Sequence, residues 1–193
     1  VDMLKRDNDD RLGIYFLQSG ANEIIGVSPG DSVSSASMLN VVGHFGMSWK
    51  PEFVSWYENK FIMAECYYNL GNEESALQIL NETLSGIEQR WISAGYSDMM
   101  IPRYEDISGQ SLLEAIMNEK YKALFLNIQS WSDWRRTGYP RFLDSEGNST
   151  ECGLQNSGVG VPRRLLYPEK EKTTNPNCPQ GDNIYDRVEN DPY

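Results

Sequence analysis

The chain has 193 residues, 39% of them hydrophobic, and a formal net charge of −11 at pH 7. This length suits one domain or a part of a larger one. The acidic balance argues against nucleic acid and against an anionic membrane surface as partners, because both are bound through clustered Lys and Arg.

Residues 1–54 are predicted to be a loop-rich first part with short helices, because they show little hydrophobic periodicity. A solvated acidic start is predicted from Asp2, Asp7, Asp9 and Asp10. Further along, a Gly- and Ser-rich stretch contains four large side chains, namely His44, Phe45, Met47 and Trp49. Such side chains on a loop either form a binding surface or pack beneath the loop.

Residues 55–140 are predicted to be the helical core, which begins with a helix hairpin. Ser55-x-x-Glu58 predicts a capping box at the start of the first helix, and Gly71 predicts the turn that ends it. A second helix is predicted from about Glu73. The residues expected to face inward are Tyr57, Phe61, Ala64, Tyr68, Ala76, Leu77, Leu80 and Leu84. The spacing around the Gly71 turn resembles one tetratricopeptide repeat.

Residues 112–140 are predicted to form one long amphipathic helix. Their apolar side chains recur every three or four positions, which places them on one stripe. The residues of this stripe are Leu113, Met117, Tyr121, Leu124, Ile128 and Trp131. Ser111 and Glu114 predict a capping box at the start. Gly138 followed by Pro140 predicts the end, because Gly readily turns left-handed and Pro cannot continue a helix.

Residues 141–193 are predicted to be an irregular tail that packs over the helices. Their composition is dominated by Asn, Asp, Ser, Gly and Pro. Residues 161–168 have a Pro near each end, which leaves little room for a helix between them. We therefore expect an extended segment there.

The chain has three cysteines, at positions 66, 152 and 178. Cys66 lies in an apolar helical pattern and is predicted to be a small core residue. Cys152 and Cys178 lie in loop-like sequence. They either form a disulfide bond or remain thiols, because the sequence does not give their separation in space.

The sequence lacks the usual constellations of catalytic or metal-binding residues. His44 is the only histidine, and no second His or Cys lies near it at zinc-ligand spacing. The motifs G-x-S-x-G, G-x-x-x-x-G-K-[ST] and G-x-G-x-x-G do not occur. Asp133, Glu169 and Glu171 are candidates for a glycosidase carboxylate pair, but such a pair has little meaning among 28 acidic residues. We predict no catalytic residue, no metal and no cofactor.

Two sequence blocks, in this order, resemble the SusD/RagB family of nutrient-binding outer-membrane lipoproteins. The first is W-x-D-W-R-R-T-G-Y-P at residues 131–140, and the second is R-R-x-x-Y-P-x-x-E-x-x-x-N at residues 163–175. The helix hairpin, with A-E-x-x-Y-x-x-G at residues 64–71, is also similar to the family. The resemblance implies an all-α fold with tetratricopeptide-like helix hairpins, a long amphipathic helix, extended irregular loops and a C-terminal tail.

The resemblance also implies a function in polysaccharide utilisation. This function is non-catalytic binding of a glycan or other nutrient at the outer surface of a Bacteroidetes-type cell, followed by delivery to a SusC-like TonB-dependent transporter. Family members are longer than this chain and attach to the outer membrane through a lipidated N-terminal Cys. We therefore expect this chain to be the C-terminal portion of such a lipoprotein, held at the membrane only through an anchor that the chain does not contain.

The matching blocks do not carry over any ligand-binding residue. Sugars present apolar C–H faces that pack on aromatic rings. Trp49, which lies just before the helix hairpin, is therefore the predicted stacking platform. Two other functions are left open. One is a tetratricopeptide-like module that binds peptides, and the other is a glycan-degrading enzyme whose turnover depends on two carboxylates.

Overall fold

The structure is a computed structural model that describes residues 1–19, 22–27, 36–143, 149–150, 161–179, 181 and 183–186. Among these residues lie seven α-helices: α1 (Asp2–Arg6), α2 (Arg11–Tyr15), α3 (Trp56–Asn69), α4 (Glu73–Ser93), α5 (Gly109–Ala123), α6 (Gln129–Thr137) and α7 (Glu169–Thr174). The two-residue strands β1 (Phe142–Leu143) and β2 (Ser149–Thr150) form an antiparallel pair. The predicted all-α class is confirmed. None of the helices described is long and apolar enough to cross a membrane.

The described residues form two compact units, one up to Ser130 and the other from Trp131 onward. The first unit is built around the predicted hairpin of α3 and α4, against which α5 packs. The Ser55 hydroxyl accepts a hydrogen bond from the Glu58 amide at 3.2 Å, as expected for a helix start. The chain reverses at Gly71, whose φ of +76° favours glycine.

Most of the residues predicted to face inward in this hairpin are buried. The buried ones are Phe61, Ala64, Ala76, Leu80 and Leu84. Those that are half-buried are Tyr57, Tyr68 and Leu77. The hairpin is therefore confirmed, while its likeness to a tetratricopeptide repeat stays a prediction.

The prediction of one continuous helix over residues 112–140 is wrong. Residues 124–128 separate α5 from α6, and Leu126 among them has a φ of +65°, which a right-handed helix does not allow. At this break the side-chain oxygen of Asn127 accepts a hydrogen bond from the Gln129 amide at 2.9 Å. Such local bonds compete with the helical hydrogen bonds. Apolar spacing alone does not report this competition.

The break also changes which side chains are buried. Met117 and Leu124 of the predicted stripe are buried, but Ile128 is 71% exposed because it lies in the break. α5 begins at Gly109, so the capping box predicted at Ser111 is wrong as well. The buried residues of α5 are Leu112, Ala115, Ile116, Met117, Glu119, Lys120 and Lys122. Three of these are charged, which is why an apolar pattern did not identify this face.

The prediction of a solvated acidic start is wrong for Asp9, which is buried beside Arg11. Arg11 Nε lies 2.8 Å from Asp9 Oδ1, and the same guanidinium contacts the Glu119 carboxylate. Lys122 Nζ joins them, 2.5 Å from Glu119 Oε1 and 2.7 Å from Asp7 Oδ2. Charged side chains can be buried when opposite charges and hydrogen bonds replace their contacts with water. These five residues are called the buried ion cluster, and they connect the first two helices to α5.

The cysteine predictions have two outcomes. Cys66 is exposed, so its prediction as a core residue is wrong. It lies two residues beyond the buried Ala64, which places it about 200° around the helix, on the opposite face. Cys178 is buried. Cys152 lies outside the described residues, so the choice between a disulfide bond and two thiols is not tested.

The second unit contains most of α6, the strand pair and α7. Gly138 follows α6 with a φ of +74°, which confirms the predicted helix end. Residues 161–168 are neither helix nor strand, as predicted for an extended segment. In this segment the Pro162 carbonyl accepts a hydrogen bond from the Trp131 indole at 2.5 Å. The short helix α7 was not predicted, and its acidic first turn favours it.

Candidate functional site

The first unit contains a cleft of about 590 Å³ between the loop before α3, the end of α4 and the segment after α5. This volume lies within the usual range of ligand pockets. The lining side chains that carry rings are Tyr15, His44, Phe45, Trp49, Phe53, Tyr57, Trp91 and Phe125. We call this site the aromatic cleft.

Tyr15 is a buried aromatic residue of the aromatic cleft. Its ring stacks on Phe125, with a centroid distance of 4.8 Å and an angle of 17° between the planes. Its hydroxyl donates a hydrogen bond to the Lys122 carbonyl at 3.1 Å. Burial raises the pKa of this hydroxyl above its ordinary value, so it remains a donor at neutral pH. This hydrogen bond therefore holds the Tyr15 ring beside the end of α5, next to Phe125.

Three rings of the loop before α3 contact one another edge to face. The His44 and Phe45 centroids are 4.5 Å apart, and those of Phe45 and Trp49 are 5.2 Å apart. The His44 ring also lies 4.6 Å from the Trp91 ring of α4, at an angle of 83°. Aromatic pairs prefer such offset or T-shaped geometries. The loop aromatics and the helix thus form one connected wall.

The loop is held in place by the buried side chain of Asn40. Its amide nitrogen donates to the Ile14 carbonyl at 3.1 Å, and its side-chain oxygen accepts from the Gly43 amide at 2.8 Å. The Asn40 carbonyl accepts from the Phe45 amide at 2.8 Å. A loop without regular structure therefore has its backbone groups paired where it meets the cleft.

Glu52, Tyr57 and Arg90 form a polar group among these rings. Arg90 Nη2 lies 2.7 Å from Glu52 Oε1, Arg90 Nη1 lies 3.1 Å from Glu52 Oε2, and the Tyr57 hydroxyl donates to Glu52 Oε2 at 2.8 Å. The Arg90 guanidinium also lies 5.5 Å from the Tyr57 ring centroid. Hydrogen bonding from Arg90 holds the pKa of the Glu52 carboxyl below its usual value. The pair is therefore fully charged at neutral pH.

The His44 imidazole is neutral at neutral pH. Burial lowers its pKa, and the Arg90 charge lowers it further, while Glu52 acts in the opposite direction. A neutral imidazole has one N–H donor and one nitrogen acceptor. The aromatic cleft therefore offers ring faces together with donors and acceptors. It suits a molecule that has apolar faces and several hydroxyl groups.

The structure places the predicted stacking residue in this cleft. Trp49 lines it and is half-buried, and His44 and Phe45 line it as well. Met47 does not line it and is fully exposed. The loop thus combines both readings of its aromatics, because the rings pack on one another and also border a cavity. Contact between Trp49 and a ligand stays a prediction.

Sequence reasoning did not assign six further residues to the cleft. The missed residues are Tyr15, Glu52, Tyr57, Arg90, Trp91 and Phe125. They come from α2, α3, α4 and two connecting segments. No motif or spacing links positions that are so far apart along the chain.

The acidic residues considered as a glycosidase pair lie in the second unit. Asp133 Oδ1 is 2.7 Å from Arg136 Nη2, so this carboxylate pairs with an arginine. Glu171 accepts a hydrogen bond from the Asn175 side chain at 2.6 Å, and Glu169 is exposed. None of the three belongs to the aromatic cleft.

Comparison with known proteins finds a family match. A SusD-like family model, described as starch-binding and associating with the outer membrane, matches residues 1–168. No curated protein and no solved structure matches the chain significantly. The matched range includes every residue that lines the aromatic cleft.

Proposed function

Because the chain belongs to the SusD-like family, whose model is described as starch-binding and outer-membrane-associated, we propose that it binds a glycan in the aromatic cleft without cleaving it. The observation that carries this proposal is the convergence of loop and helix aromatics with the Glu52, Tyr57 and Arg90 group in one cavity. Sugars are recognised by ring faces against C–H patches and by polar groups against hydroxyls. Both kinds of contact are available within this cavity.

Trp49 is the proposed stacking platform. Its ring is half-buried among the loop aromatics, and its backbone amide donates to the Gly46 carbonyl at 2.9 Å. A ring that is already ordered loses little conformational freedom when a ligand stacks on it. Glu52 and Arg90 would then form hydrogen bonds with the sugar hydroxyls.

We further propose delivery of the bound glycan to a SusC-like TonB-dependent transporter at the cell surface. This step and attachment through a lipid anchor both rest on membership of the family. Surface exposure is part of the same proposal. A strain that expresses the protein would test it by surface labelling and by co-purification with the transporter.

The test of glycan binding is calorimetric titration of the protein against a panel of plant, host and microbial polysaccharides that includes soluble starch. The release of reducing ends is followed in the same samples. We expect heat of binding with at least one polysaccharide and no release. Release that depends on the protein would identify an enzyme instead, and an absence of binding across the panel would contradict the proposal.

A peptide-binding role is the second candidate. It is favoured by large apolar side chains exposed on and near the loop, namely Val42, Met47, Phe53 and Val54. Exposed apolar side chains are typical of protein contact sites where they form one patch. In that case no polysaccharide of the panel would give heat of binding. Substitution of these four residues would abolish binding of a protein partner.

A further inference from the structure

The Glu52–Arg90 pair is a two-point contact at the aromatic cleft. Both Arg90 Nη atoms engage the Glu52 carboxylate, at 2.7 and 3.1 Å, and the Tyr57 hydroxyl is a third donor to it. The Glu52 and Arg90 side chains are 39% and 38% exposed, so both can be reached by a ligand. The ion pair is thus part of the surface that a bound sugar would meet.

The Glu52–Arg90 pair affects how strongly the cleft attracts charged ligands. A guanidinium that faces an open site attracts carboxylates and sulfates, because it presents a fork of N–H donors. Here that fork is already occupied by an internal carboxylate. A second anion would compete with Glu52 for Arg90, and the negative charge of Glu52 would repel this anion at short range. A hydroxyl group meets no such barrier and can use the remaining N–H groups and lone pairs.

The other titratable groups of the cleft do not reverse this preference for hydroxyl groups over anions. His44 is neutral at neutral pH for the reasons given above. Lys50 also lines the cleft, but its side chain is exposed, so water and salt screen its charge. Tyr15 and Tyr57 are uncharged, and burial raises the pKa of both hydroxyls.

We propose that Glu52 determines charge selectivity in the cleft, which admits neutral sugars and excludes acidic sugars such as uronates because Glu52 occupies Arg90. The inference rests on the proposed glycan-binding function. Glu52→Gln removes the charge and keeps the size of the side chain. The Arg90 charge is then no longer neutralised by a carboxylate and can attract a sugar carboxylate.

The experiment compares maltohexaose with maltohexaose oxidised at C6 to its glucuronate form, so that the two probes differ at C6 only, where a carboxylate replaces the hydroxymethyl group. We expect the natural protein to prefer the neutral probe by about tenfold or more in Kd. Glu52→Gln is expected to abolish or invert this preference. The matched control is Glu23→Gln, which removes the same charge from an exposed pair with Lys5, outside the cleft. Its preference should equal that of the natural protein, and melting temperatures report whether each variant is folded.

Each outcome is informative. Equal binding of both probes by the natural protein, or the same preference in Glu52→Gln, overturns the selectivity role and leaves glycan binding intact. An equal change in Glu23→Gln overturns it as well, because the effect then reflects net charge. If neither probe binds to any variant, glycan binding of this type fails, and the selectivity role fails with it.

Discussion

Tyr15 of α2 and Phe125 of the segment after α5 stack with their centroids 4.8 Å apart and their planes 17° apart. The pair joins the start of the first unit to its last segment. Leu124, next to Phe125, is buried and lines the same cleft. The break after α5 therefore gives the cleft one of its walls, although it interrupts the predicted helix.

Substitution of Leu124 tests whether this segment belongs to the core. Leu124→Ala should lower the free energy of unfolding by about 2–5 kcal/mol, because it removes buried methyl groups and leaves a cavity. Urea denaturation measures this change. Leu126→Ala is the matched control, since Leu126 is exposed and should change stability by less than about 0.5 kcal/mol. Equal effects of the two substitutions would place the segment outside the core.

Substitution of Trp49 separates binding from stability. Trp49→Ala should weaken glycan binding by about tenfold or more and lower the melting temperature only slightly, because the ring is half-buried on a loop. Calorimetry and thermal denaturation measure the two effects. Met47→Ala, in the same loop and fully exposed, should leave both unchanged. A large melting shift in Trp49→Ala would assign this ring to the core.

The buried ion cluster should be sensitive to the loss of one partner. Glu119 contacts Arg11 and Lys122 and accepts a hydrogen bond from the Tyr104 hydroxyl at 2.8 Å. Glu119→Gln leaves two buried cations with less compensation, and we expect a loss of about 3–5 kcal/mol in unfolding free energy. The exposed pair of Lys5 and Glu23 provides the control, because Glu23→Gln should cost no more than about 1 kcal/mol. A small loss in Glu119→Gln would mean that water enters the cluster.

The only histidine of the chain should report on the cleft by NMR. His44 is expected to titrate below its usual pKa of about 6.5, because burial and the Arg90 charge disfavour the imidazolium. As the pH falls below that value, the unfolded chain binds a proton that the folded protein does not. The stability of the native protein should therefore decrease over this range, and the decrease should be absent in His44→Gln.

The same titration connects His44 to its neighbours. Glu52→Gln should lower the pKa of His44 further, because the Glu52 charge then no longer offsets that of Arg90. An unchanged or higher pKa in this variant would contradict the arrangement of the three groups. The measurement follows the His44 imidazole signal in the natural protein and in Glu52→Gln from pH about 4 to 8.

The helix hairpin could be predicted from the sequence because its signals are local. The Ser55 cap, the Gly71 turn and the inward positions of Phe61 and Leu80 depend on residues within one or two helical turns. The family blocks are local in the same sense, and the family match over residues 1–168 agrees with them. For the same reason, Trp49 could be chosen as a candidate from its loop alone.

Tertiary structure decided what depends on distant residues. The sequence predicts a solvated Asp9, but the fold buries it beside Arg11 and Lys122, whose positive charges compensate its own. The contact of Arg90 with Glu52 could not be predicted from their spacing. The helix break was also hidden, because an apolar stripe does not report hydrogen bonds that compete with the helix. The sequence by itself determined the hairpin of α3 and α4, its Ser55 cap and its Gly71 turn, and the family. The fold alone decided the buried charges and the composition of the cleft, since electrostatic and aromatic contacts form between side chains that meet only after the chain has packed.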